Sequence, residues 1–91
     1  MAQILQTPTF KRAMKRLSKQ QKQELDEAVR VIAVEPSLGE TKVGDLAGVR
    51  IHKFKMNRQL TLLAYEFSQA DDVIKLLALG SHENFYRDLK R

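Results

Sequence analysis

A chain of 91 residues with a net charge of +5 and no cysteine has room for one modest core and no disulfides to staple it. Hydrophobic residues at 43% and charged residues at 30% read as one globular domain (1–91) rather than a disordered chain. No apolar run reaches a membrane span, and the start MAQILQTPTF lacks the charged-then-apolar plan of a secretory leader, so the expectation is a cytoplasmic protein with no membrane partner.

ILQT (4–7) reads as a short strand. Thr7 then stands as a helix N-cap with Pro8 at the first helical position, where its missing N–H costs nothing. Phe10, Met14 and Leu17 follow at i, i+4 and i+7, with Ala13 beside them, and share one apolar face. Lys11, Arg12, Lys15 and Arg16 take the exposed sides. Ser18 and Gln21 have capping-box spacing for a second helix, whose buried stripe is Leu25, Ala28, Val29 and Ile32 and which Pro36 stops. Two helices meeting at Ser18 with almost no linker predict a helical hairpin.

After SLGETKVGDLAG (37–48) the pattern turns to β. VRIHKFK (49–55), QLTLLAYEF (59–67) and DVIKLLAL (72–79) read as three strands joined by the short polar turns MNR and SQAD, gaps that favour an antiparallel meander. The third is apolar at nearly every position, as in a strand covered on both faces. A terminal turn or helix is expected at 83–90. The fold class is therefore α+β, a small antiparallel sheet in the order β-α-α-β-β-β plus a C-terminal helical turn, with the helical hairpin on one sheet face. The other face is left for something else.

Positive charge is clustered. Residues 11–22 carry Lys11, Arg12, Lys15, Arg16, Lys19 and Lys22 with no acid, and residues 42–58 carry Lys42, Arg50, Lys53, Lys55 and Arg58 against Asp45 alone. Between them Glu24, Asp26, Glu27, Glu35 and Glu40 face only Arg30. Such clustering suits a polyanion or an acidic protein partner. In the basic strand, alternation places Lys53 and Lys55 on one face and Arg50 and His52 on the other, with Phe54 opposite the lysines; Ile51 fits that register poorly without a bulge. A solvated edge strand guarded by lysine is one reading. A phosphate-binding strand is the other, and the flanking Lys42 and Arg58 favour it.

His52 and His82 are the only histidines and no helix carries a ligand pair, so neither a metal nor another cofactor is expected. A Gly-x-Ser-x-Gly elbow and a glycine-rich phosphate loop are both missing. Cleavage of RNA without a metal remains open to this inventory, because the 2′-hydroxyl can itself attack the adjacent phosphorus. The protein then supplies a base for the 2′ proton, cations for the phosphoryl oxygens and an acid for the leaving 5′ oxygen. His, Lys, Arg and Tyr cover these roles, histidine in either direction near neutral pH, and aromatic rings can hold an unstacked base. The ending GSHENFYRDLKR (80–91) places His82, Phe85, Tyr86 and Arg87 within one short segment, as a lock onto the core or as half of a site.

The element order, the loop KVGDLAG (42–48) before a basic strand, the run Leu62-Leu63-Ala64-Tyr65 and the ending LGSHENFY (79–86) together resemble the RelE/ParE superfamily of toxins from bacterial type II toxin–antitoxin systems, over essentially the whole chain. The resemblance implies a compact RelE-like α+β toxin, neutralised by a cognate antitoxin in a toxin–antitoxin hetero-oligomer. In the RelE-like branch, which it favours, the activity is metal-independent endonucleolytic cleavage of mRNA in the ribosomal A site, so that ribosome and mRNA are partners and translation is inhibited. In the ParE-like branch the target is DNA gyrase and nothing is cleaved. A nucleic-acid-binding module without activity is a third reading.

The family's paired lysines match Lys53 and Lys55. Leu62 stands where RelE-like nucleases often carry an arginine, a cation that is then either missing or supplied by Arg58 or Arg50. The ending resembles histidine-using relatives, so His82 matches their acid or base, and Phe85 or Tyr86 the aromatic residue after it. The implied catalytic set is His82, Lys53, Lys55, Arg58 and Tyr86. Lys42, Arg50, His52, Phe85 and Arg87 are implied to bind substrate, with His52 a second acid–base candidate.

Overall fold

The computed structural model describes residues 3–41 and 48–81. Along the chain these form β1 (Gln3–Gln6), α1 (Pro8–Lys15), α2 (Lys19–Val34), a 3-10 turn (Pro36–Leu38), β2 (Glu40–Thr41), β3 (Arg50–Met56), β4 (Gln59–Ser68) and β5 (Val73–Ser81). Both helix starts are built as their sequences require. The Thr7 hydroxyl accepts from the Phe10 N–H at 3.2 Å and donates to the Leu77 carbonyl at 2.9 Å, so one side chain caps α1 and ties it to β5. At Ser18 the two reciprocal capping-box bonds form at 2.9 and 3.2 Å, which starts α2 only three residues after α1 ends.

The five strands lie in the order β1-β5-β4-β3-β2. The expected antiparallel meander holds from β3 through β5 and β2 extends it, but β1 runs parallel to β5, so the sheet is mixed. Short turns encode only neighbouring pairs. The partner of β1 is β5, far away in sequence, and no local signal carries that pairing. The two-residue β2 lies inside the segment read as loop and pairs Glu40 with Ile51 and Thr41 with Arg50.

The hairpin covers one face, where Phe10, Leu25 and Ile32 pack with Met56, Leu63, Tyr65, Ile74 and Leu76. On the opposite face Val49, Ile51, Leu62, Ala64 and Ala78 form a second buried cluster. Residues 61–65 of β4 are all buried. The strand covered on both sides is thus the central β4, whereas β5, expected in that role, leaves Lys75 exposed. Ile51 also departs from expectation: it keeps plain alternation on the lysine side, and the bulge lies in the β4–β5 ladder between Ala64 and Tyr65, with Leu77 as the extra residue. No helix among the described residues is long and apolar enough to cross a membrane.

Candidate functional site

Strand β3 sorts its charges by the period of two. Lys53 and Lys55 are exposed on the face away from the helices, where their partners across the ladder are Leu62 and Leu60. Leu62, the position where the resemblance places an arginine, is fully buried, so the face has an apolar floor with ammonium groups standing above it. Consecutive same-face lysines are about 6.6 Å apart along a strand. Glu40 of β2 lies on the same face and its Oε2 approaches the Lys53 Nζ to 3.7 Å. Both side chains are exposed, which keeps the pair weak. Glu40 was not legible as a neighbour of Lys53, because a two-residue strand has too little pattern to reveal its pairing.

Beyond Met56 the chain reverses through Asn57 and Arg58, whose φ values of 53° and 65° are both left-handed. With Met56 paired to Gln59, this is a two-residue hairpin turn of the type whose twist matches the strands. Arg58 is exposed at its tip. The carboxylate of Glu24, from α2, accepts the Asn57 N–H at 3.1 and 3.3 Å.

Arg50 and His52 take the other face. Arg50 Nη1 donates to the carbonyls of Ser37 and Gly39, each at 3.2 Å. His52 is half-buried with its ring stacked on Phe54, centroids 5.9 Å apart and planes 9° from parallel. Burial holds the His52 pKa below its ordinary value of 6.5. Tyr65, fully buried, donates its phenol proton to the Pro36 carbonyl at 2.7 Å and accepts the Gly39 N–H at 3.0 Å. Its pKa is raised by burial, against the opposing effects of the Gly39 N–H and the Arg50 charge. Arg50 and Tyr65 therefore hold the 36–39 turn that delivers β2, and with it Glu40, to the edge of the sheet.

The structure thus gathers Lys53 and Lys55 on one face, with Arg58 at the end of the same strand, and sets Arg50 and His52 behind them. Lys42, His82, Phe85, Tyr86, Arg87 and the helical turn expected at 83–90 lie outside the described residues. Two exposed ammonium groups on the sheet face opposite the helices, with a guanidinium in the turn that follows the strand, can bind successive phosphates and offset charge that develops on a phosphoryl group.

A sequence model described as the ParE-like toxin of type II bacterial toxin–antitoxin systems matches residues 4–90. No curated protein sequence matches the chain. Among solved structures, the fold is similar to a chain of the intact Escherichia coli RelBE toxin–antitoxin complex at TM-score 0.73 and 13% identity, covering 91% of this chain and 99% of that one. The toxin–antitoxin complex RelBE2 of Mycobacterium tuberculosis also matches at 0.73, with 18% identity over 89% of this chain and 98% of the other. A conserved hypothetical protein of Helicobacter pylori matches at 0.63 with 22% identity, over 90% and 96% of the two chains.

Proposed function

The chain belongs to the ParE-like toxin family of type II bacterial toxin–antitoxin systems, and from that premise we propose that it is an endoribonuclease that cleaves mRNA on the ribosome. The observation that carries this reading is the exposure of Lys53 and Lys55 together on the sheet face opposite α1 and α2. Cations so placed suit a sugar–phosphate backbone laid along the strand. In the proposed reaction the 2′-hydroxyl of one nucleotide attacks the adjacent phosphorus and gives its proton to a base. The bond from phosphorus to the 5′ oxygen breaks, that oxygen takes a proton from an acid, and a cyclic phosphate and a free 5′-hydroxyl remain. His82 is assigned to proton transfer, Lys53, Lys55 and Arg58 to the phosphates, and Tyr86 and Arg87 to substrate contact.

The similarity to chains solved with their antitoxins supports a cognate antitoxin as partner. An acidic or amphipathic segment that folds onto Lys53, Lys55 and Arg58 would inhibit without altering the fold. The family's ParE-like description favours a second reading, inhibition of DNA gyrase without cleavage.

Primer extension on mRNA in a cell-free translation reaction separates the two. The expected result is breaks within codons that require both ribosomes and the protein, are lost in His82→Ala, and fall at least tenfold in Lys53→Ala/Lys55→Ala, with all variants folded. Intact mRNA together with stabilised gyrase–DNA breaks would replace this reading with the second.

A further inference from the structure

A two-residue hairpin turn with both φ values positive takes Asn readily at its first position and strongly prefers Gly at its second. Here the second position is Arg58, at φ 65°, where a Cβ is unfavourable. A long charged side chain kept in a place suited to glycine points to a use for that side chain. The turn is also held from outside its own hairpin. Glu24 lies 33 residues earlier in sequence, on α2, yet both its carboxylate oxygens lie within hydrogen-bond distance of the Asn57 N–H. In a hairpin of this kind that N–H has no ladder partner and ordinarily faces water, so a charged acceptor from another element anchors it. Glu24 is half-buried and sits one residue before Leu25, which is packed in the core, so the carboxylate has a rigid base.

We infer that Glu24 is a positioning residue: by holding the Asn57 N–H, it fixes the turn so that Arg58 meets an RNA phosphate in line with Lys55 and Lys53. This deepens the nuclease reading and rests on it for the identity of the anion. The sign of the effect sets it apart from simple electrostatics. Removing an acid from a basic surface strengthens the binding of a polyanion, whereas removing this acid should weaken it.

The test is the affinity of the purified protein for a short single-stranded RNA oligonucleotide, with Asn57 amide exchange followed by NMR. Arg58→Ala should weaken binding about tenfold. Glu24→Ala should weaken it several-fold and speed exchange at Asn57, and in the Arg58→Ala background it should weaken binding no further. Glu24→Gln keeps an acceptor oxygen and loses the charge, so it should bind as tightly as the wild type or more tightly. Unchanged or tighter binding by Glu24→Ala, or an equal loss with Arg58 already removed, overturns the inference. So does Arg58→Ala binding like the wild type, although the nuclease reading then still stands on the lysines. If the variants behave as expected while mRNA stays intact in translation, the clamp survives and the nuclease reading alone falls.

Discussion

At the residue scale, His52 shows how one strand position separates two chemistries. Its neighbours Lys53 and Lys55 are exposed on the face away from the helices, while its own ring stacks on Phe54 on the helix side. Burial holds its folded pKa below the ordinary 6.5, so the unfolded chain takes up a proton that the folded chain resists. Stability from this source is intact above pH about 6.5, falls as pH drops from there toward the lowered folded value, and then levels off. His52→Gln should flatten that acidic decline, measured as melting temperature against pH beside the wild type. Parallel curves would show that the ring takes up its proton as freely in the folded state. A flattened curve with RNA cleavage retained would also remove His52 from the acid–base candidates and leave His82.

At the element scale, the 36–39 turn decides where β2 can go. Tyr65 reaches across from the central strand to bond both ends of this turn, and Arg50 adds two further bonds to its carbonyls. Gly39 is required there by space alone, since a Cβ would come within 2.7 Å of the Tyr65 hydroxyl and 3.1 Å of the Ile51 carbonyl. Gly39→Ala should therefore destabilise the protein by about 1–3 kcal/mol, the usual range for overpacking. Tyr65→Phe should lose a similar amount, because it leaves the Gly39 N–H buried without its acceptor. Chemical denaturation reads both. A Gly39→Ala protein as stable as the wild type would mean that the turn shifts freely, and that the placement of Glu40 beside Lys53 does not depend on it.

At the scale of the whole molecule, the positive charge lies on two sides of one sheet. Lys11, Arg12, Lys15 and Arg16 stand exposed on or just after α1, in the helical layer, while Lys53 and Lys55 stand on the opposite face. A short RNA strand laid along β3 reaches only the second group. The slope of log affinity against log salt, about −0.7 for each phosphate neutralised on a single strand, should therefore be unchanged when the four α1 cations are replaced by glutamine. It should become shallower by about 0.7 for each of Lys53 and Lys55 replaced. A drop in slope from the α1 variant would place RNA on the helical face instead, and would turn that face from a solvated surface into a contact surface.

Much of the fold was legible because its signals are local. Thr7 with Pro8, and Ser18 with Gln21, each contain both partners of a cap, so the helix starts needed no knowledge of the rest of the molecule. Alternation along β3 likewise told Lys53 and Lys55 from Arg50 and His52, since side chains on a strand have no other way to point. Caps, periodicity and alternation by themselves determined a small α+β domain with a basic strand, while the clustered charge left a polyanion and an acidic protein partner both open. What only the tertiary structure decided depends on residues far apart in sequence: β1 beside β5 in parallel, β4 rather than β5 covered on both sides, Arg50 committed to the 36–39 turn, and Glu40 beside Lys53. The reach of Glu24 to Asn57 belongs with these. The physical reason is the same in each case. A cap or an alternation is a property of a few consecutive residues, but a partner across the sheet exists only once packing has brought two distant segments together.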